Sequence, residues 1–209
     1  MDRKRLLSMT FFSILIVALT ITIIYYMRVQ EVSRPSWLKS GSFMSYEQII
    51  TTYNGESYNE SMSWNVTRLS GDSLDLYTMS HSVNTTGGDV VITPVEGNWT
   101  VNAFTREILV SSNSYDIGQK IPYWIPTNVR EGSAVDTMYG AGRISGSETV
   151  FIIDRHRDCW VLEYSWLSKS MIRWYDKSSG ACLKVYIILA QLDVTVEITQ
   201  TAVATNIDL

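Results

Sequence analysis

Between Arg5 and Arg28 the chain runs for 22 residues, LLSMTFFSILIVALTITIIYYM, without a charge, and no other stretch constrains the molecule as strongly. As a helix it spans roughly 33 Å, against a bilayer hydrocarbon core of about 30 Å. Ser8, Thr10, Ser13, Thr20 and Thr22 do not prevent insertion, because a hydroxyl can bond back to its own helix. Arg3, Lys4 and Arg5 precede the stretch and only Arg28 closely follows it, so the basic end is expected to stay in the cytoplasm. The expected order is a cytoplasmic tail (1–5), a transmembrane signal anchor (6–27), a neck (28–36) and an extracytoplasmic domain (37–209). The bilayer is the first partner this implies, with Tyr25 and Tyr26 at headgroup depth. A cleavable signal has an apolar core of about 7 to 15 residues and a small-x-small cut site, neither of which is present here. Two alternatives stay open: ordinary signal peptidase cleavage, and a pilin-type leader that leaves the apolar helix as a filament core. All three readings export the rest of the chain.

Of 17 basic and 21 acidic residues, four basic and one acidic lie before Val29, so the exported part is acidic, at about −7. An acidic surface repels phosphate, which argues against a nucleic-acid partner. The remaining length suits one domain with a substantial core.

Beyond residue 50 the vocabulary is Val, Ile, Thr, Tyr and Trp, with no convincing amphipathic helix and no internal repeat. Period-two alternation recurs instead. Met62, Trp64 and Val66 oppose Ser63, Asn65 and Thr67, and the turn Ser70-Gly71-Asp72 predicts a hairpin into 73–83. Short strands are expected at 42–53, 89–94, 98–103 and 106–112. Pro122 and Pro126 exclude a central strand around Tyr123-Trp124-Ile125, so that stretch reads as an edge or crossover. Strands follow at 133–139, 149–154, 159–166, 171–175, 182–189 and 194–199. Alternation of this kind marks antiparallel sheets with one covered face. The expected class is mainly β: a curved antiparallel sheet, as a half-barrel or a sandwich, after one N-terminal transmembrane helix.

Four sequons, at Asn59, Asn65, Asn84 and Asn98, are candidate glycosylation sites, with Asn65 and Asn98 on the polar sides of their strands. Cys159 and Cys182 are the only cysteines, and in oxidising surroundings they are expected to form a disulfide across one surface. Trp64, Trp99, Trp160, Trp166 and Trp174 serve core packing or, alternatively, line a concave pocket for an acyl chain. Asp154-Arg155-His156-Arg157-Asp158 reads as a polar β-turn, and His81 as an incidental strand histidine without metal-ligand spacing. Gly140-Ala141-Gly142-Arg143-Ile144-Ser145-Gly146 lacks the dinucleotide spacing and reads as a glycine-rich turn. No serine sits in a nucleophile-elbow context and histidines are sparse, so a secreted hydrolase is the least favoured class. No catalytic residue, metal or cofactor is expected.

The passages Trp37-Leu38-Lys39-Ser40-Gly41, Tyr123-Trp124-Ile125-Pro126-Thr127-Asn128, Trp174-Tyr175-Asp176-Lys177 through Gly180 with Leu183-Lys184, and Ala204-Thr205-Asn206-Ile207 resemble uncharacterised archaeal membrane-anchored or secreted β-rich proteins. That resemblance implies a cell-surface protein. The Asp176-Lys177-x-x-Gly180 turn is similar, more remotely, to lipoprotein-carrier-type half-barrels, whose curved sheet holds acyl chains, although no long plugging helix follows in this sequence. The expected role is binding or structural work at the envelope, with an envelope protein or an apolar ligand as partner.

Overall fold

The computed structural model describes residues 34–209 apart from Gly87, Gly88, Tyr139, Leu167, Ser168, Leu192 and Asp193. Of Asn84, Thr85, Thr86, Asp89, Trp166, Gln191 and Val194 only the backbone is described. The chain divides into Met1–Ser33 and the compact unit Arg34–Leu209. The tail (1–5), the anchor (6–27) and residues 28–33 of the neck (28–36) lie outside the described residues, among which no helix is long and apolar enough to cross a membrane.

The compact unit is one antiparallel sheet built from β1 (Phe43–Thr52), β2 (Ser57–Ser70), β3 (Ser73–Thr86), β4 (Asp89–Asn102), β5 (Ile108–Ser111), β6 (Ala134–Thr137), β7 (Gly140–Ile152), β8 (Arg155–Trp166), β9 (Lys169–Asp176), β10 (Cys182–Gln191) and β11 (Val194–Thr205). Its spatial order is β5-β4-β3-β2-β1-β11-β10-β9-β8-β7-β6, a single curved layer rather than a two-sheet sandwich. Two meanders meet where β1 pairs with β11, from Met44 opposite Thr205 to Thr52 opposite Val196. Register shifts at Ser45/Tyr46, Val66/Arg68, Thr100/Val101, Ile144/Gly146 and Cys182/Lys184 mark the irregularities. Each such bulge bends its strand and raises the local twist, which is how a sheet this wide curves.

Three expectations about elements are corrected. The two short strands at 89–94 and 98–103 are one strand, β4, running through Pro94 and Gly97. A Cβ at Gly97 would sit 2.6 Å from Thr78 Oγ1, so glycine marks close packing there and not a break. Residues 140–146 belong to β7, not to a turn, and Gly142 lies beneath Leu162 and the Glu163 carbonyl. The polar run at 154–158 is mostly strand: only Ile153 and Asp154 turn, both at positive φ (50° and 60°), and Arg155 already pairs with Ile152.

One sheet face buries most of the core, although Cys159 and Trp174 are buried on the other. In β1, Met44, Tyr46, Gln48, Ile50 and Thr52 are all buried, while intervening residues are not. Between β5 and β6 the chain crosses from one edge of the sheet to the other, and residues 121–125 of this crossover are buried against that inner face.

Candidate functional site

The inner face has two ends of different character. At one end Trp37, Trp64, Tyr123 and Trp124 pack as a solid aromatic cluster. Trp37 meets Trp124 edge-on with centroids 5.9 Å apart, and Trp64 stacks on Tyr123 at 5.7 Å. Trp99 extends the stack against Tyr123 at 6.3 Å. Aromatic pairs in such geometries add about 0.5–1.5 kcal/mol each beyond burial.

The crossover enters this cluster with its backbone satisfied. Ile125 N donates to Gly180 O and Cys182 N to Tyr123 O, both at 2.9 Å, and Tyr175 Oη donates to Pro122 O at 2.9 Å. Trp37 Nε1 donates to Ser179 O at 2.8 Å. The buried Arg106 guanidinium donates to the carbonyls of Ile121, Trp124 and Asp136 at 3.0, 3.1 and 3.0 Å. Burial lowers the Arg106 pKa from its ordinary value, with the charge of Asp136 among the groups opposing that shift. Across from the crossover, Asp176 Oδ1 accepts from the backbone N–H groups of Ser178 and Ser179 and from both hydroxyls, and Gly180 at φ 75° leaves room for the Ile125 carbonyl. The Asp-Lys-x-x-Gly turn is therefore a docking platform for the crossover.

At the other end the inner face is aliphatic, and its strands are in register. Tyr58 of β2 stands opposite Ile50, Ile50 opposite Ile198, Ile198 opposite Ile187, Ile187 opposite Met171, and Met171 opposite Tyr164 of β8. These six residues form a belt over six neighbouring strands, roughly 24 Å long at the usual strand spacing. The four central side chains are buried, whereas Tyr58 and Tyr164 are half-buried, as are Val83, Val90, Ile92, Trp160 and Leu189 packed against the same cluster. Two residues along each strand, a second row carries polar groups. Gln200 Nε2 donates to Gln48 Oε1 at 2.9 Å, and His81 Nε2 lies 3.3 Å from Glu60 Oε2. Arg173, 5% exposed, completes that row on β9 with Nε 3.1 Å from Met171 Sδ.

The sequence-derived site residues lie in several parts of the sheet. The four tryptophans of this set whose side chains are described are spread over both faces of the sheet. Trp64 and Trp99 belong to the aromatic cluster, and Trp160 lies on the inner face beneath Lys177 Nζ, 4.3 Å from its ring. Trp174 points to the opposite face, where Nε1 donates to Glu148 Oε2 at 2.7 Å. The Trp166 side chain lies outside the described residues. The reason is register: β8 and β9 pair Trp160 with Tyr175 and Val161 with Trp174, so the two indoles take opposite phases.

Cys159 and Cys182 are both buried and free, and the bridge expected between them is not formed. They lie on β8 and β10 with β9 between, opposite Asp176 and Tyr175 respectively, neighbouring residues that face opposite sides. Burial, reinforced by the charge of Asp176, pushes the Cys159 thiol up to about 12, and burial also raises Cys182. Asn59 and Asn98 are exposed and Asn65 is half-buried, while the Asn84 side chain lies outside the described residues. His156 is exposed and packs edge-on against Phe151. Among the described residues no three His, Cys, Asp or Glu side chains form a metal-holding group.

Sequence reasoning missed Arg106, Gln48, Gln200 and Arg173. A signal existed for three of them: Gln48 falls in the buried phase set by Met44, Tyr46 and Ile50, Gln200 in that of Val196 and Ile198, and Arg173 in that of Met171 and Tyr175. No comparable pattern announces Arg106.

No protein-family model matches the chain, and no curated protein does. Among solved structures, the chain is remotely similar to the hypothetical lipoprotein YmcC from Escherichia coli, with 11% identity and a TM-score of 0.30 over 88% of this chain and 97% of that one. It is also remotely similar to the LolA superfamily protein NE2245 from Nitrosomonas europaea, with 7% identity and a TM-score of 0.24 over 79% and 87% of the two chains. The fold itself is a single curved antiparallel sheet of eleven strands among the described residues.

Proposed function

We propose that this chain is a membrane-anchored, extracytoplasmic binding protein of the cell envelope, whose half-barrel takes an apolar ligand of acyl-chain type on the aliphatic belt of its inner face. Residues 6–27 hold it in the bilayer, and the protein performs no chemistry of its own. The observation that carries this reading is the register of Ile50, Ile198, Ile187 and Met171 across four adjacent strands, bounded by the half-buried Tyr58 and Tyr164. A continuous aliphatic surface with few polar groups in fixed positions is the usual make-up of a small-molecule site. The reading places the ligand at the belt and not among the tryptophans: the aromatic end is tied to the crossover by hydrogen bonds, whereas the belt is flanked by the half-buried Tyr58, Val83, Val90, Ile92, Tyr164 and Leu189, which have to move aside to admit a chain. In an archaeal cell surface, the exposed sequons at Asn59 and Asn98 are the positions this reading expects to carry glycan.

The test is to express residues 34–209 on an export route, purify them without detergent and analyse an organic extract by mass spectrometry. One amphiphile per chain is the expected result. A folded domain whose extract contains none, and which takes up none when offered, would overturn the reading.

A further inference from the structure

The ladder between β2 and β3 is shorter than either strand. It runs from Ser70 opposite Ser73 to Ser63 opposite Met79, although β2 begins at Ser57 and β3 continues to Thr86. Past that point β3 follows β4 as far as Thr86 opposite Asp89, while β2 follows β1 as far as Ser57 opposite Thr51. On the other side β5 ends at Ser111, opposite Trp99. The far half of the β3–β4 hairpin, strands 80–86 and 89–95, thus parts from the sheet as a two-stranded arm.

Side-chain phase shows where the arm goes. Near the sheet, Leu74, Leu76 and Thr78 of β3 and Val101 of β4 are the inward, buried phase. In the arm the residues of the opposite phase, Val83 with Ile92 across from it and Val90 next along β4, pack on the inner-face cluster of Ile50, Ile187 and Ile198. His81 has that same phase, and its Nε2 lies 3.3 Å from Oε2 of Glu60, which shares the inward phase of Met62 and Trp64 on β2. Both contacts lay the arm over the concave face as a second layer. Val91 and Val95, which would face inward if the arm stayed in the plane of the sheet, are accordingly 46% and 43% exposed. The aliphatic side chains of the arm therefore stand where a ligand chain on the belt has to lie. Residues 57–62 of β2 offer the arm a second seat: continued in the same register, the β2–β3 ladder sets Ser61 opposite His81 and Asn59 opposite Val83, with no residue inserted or removed.

We infer that the β3–β4 arm is a flap with two seats, laid over the belt as it is in this structure or zipped into the sheet beside residues 57–62 of β2 when an acyl chain occupies the belt. This rests on the apolar-ligand reading above and adds to it how the ligand gains its place. Moving the flap exchanges the burial of Val83, Val90 and Ile92 for main-chain hydrogen bonds to β2, and the bound chain restores the apolar cover that the belt loses. A ligand that fits only one seat shifts the flap toward it by its difference in affinity for the two. The His81–Glu60 contact belongs to the lowered seat alone, because in the zipped ladder His81 stands beside Ser61 on the face opposite Glu60; it is the latch of the flap.

The test uses the full chain in maltoside micelles, with palmitate as the probe. In the wild type, bound palmitate is expected to slow amide hydrogen exchange about tenfold in peptides covering residues 57–62 and 80–86. The double variant Glu60→Cys, His81→Cys is then bridged by a short bis-maleimide or, as its control, capped at both new thiols with N-ethylmaleimide; Cys159 and Cys182 are buried and stay unmodified. Bridging is expected to lower photolabelling of the Ile50, Ile187 and Ile198 peptides by a diazirine-bearing palmitate about tenfold relative to the capped protein. Bound palmitate with exchange unchanged or faster at 57–62 and 80–86, a bridge that does not form, or belt labelling that persists in the bridged protein would each overturn the flap while leaving the apolar site standing. Failure of palmitate to bind the wild type at all would remove the apolar-ligand reading and this inference with it.

Discussion

Arg106 shows how much one side chain holds here. It is 5% exposed, sits at φ 66°, and spends its guanidinium on three main-chain carbonyls, two of them in the crossover. Arg106→Met keeps the length of the side chain but leaves those carbonyls unsatisfied. The expected loss is about 3 kcal/mol or more in urea unfolding; a change under 0.5 kcal/mol would show that the crossover is held by packing alone. The cysteines give a second prediction at this scale. With the Cys159 pKa raised from 9.0 to about 12, its thiolate is roughly a one-in-ten-thousand species at pH 8, so thiol reagents should react only after unfolding. The sign of the linkage follows from the same shift. A folded-state pKa above the unfolded one contributes stability that is complete below pH 9 and is lost as pH rises toward 12. Cys182, Tyr46 and Tyr175, all raised chiefly by burial, act in the same direction. Urea midpoints should be level from pH 7 to 8.5 and fall steadily above 9, and an unchanged midpoint at pH 10.5 would contradict this account.

Among elements, the hairpins were legible because each strand carries its own period-two pattern and each turn its own chemistry. Ser70-Gly71-Asp72 joins β2 to β3 and the Asp176–Gly180 stretch joins β9 to β10, both where local pattern places them. Glycine inside a strand misled: at Gly97 and Gly142 it answers to a neighbour from another strand, Thr78 in one case and Leu162 in the other, which no local window contains. The crossover was recognisable from its two prolines, yet its destination was not, because the contacts that bury it come from Arg106, Tyr175 and Gly180. Gly180 provides the prediction for this element. A Cβ there would lie 2.2 Å from the Ile125 carbonyl oxygen, and φ is already 75°, so Gly180→Ala has to displace the crossover backbone. The expected cost is about 2–4 kcal/mol, with new protease sensitivity between residues 119 and 128. A variant as stable and as resistant as the parent would show that the turn and crossover are not coupled.

For the whole molecule, the β class and the alternating burial along most strands could be read from sequence, whereas the closure of β1 on β11 could not. That pairing joins residues about 150 positions apart and leaves no trace in any short stretch. It also decides the candidate site, because the belt exists only when Ile50 and Ile198 are neighbours. The tryptophans' places are illegible locally for the same reason: alternation assigns each to a side of its own strand, but the distance from the crossover is set by the assembled sheet. The measurement that tests the central claim most directly is photo-cross-linking of residues 34–209 with a fatty acid carrying a diazirine midway along its chain, followed by peptide mapping. The account predicts label on peptides containing Ile50, Ile187 and Ile198. Label confined to the opposite face, or to peptides of the Trp37, Trp64 and Trp124 cluster, would contradict it.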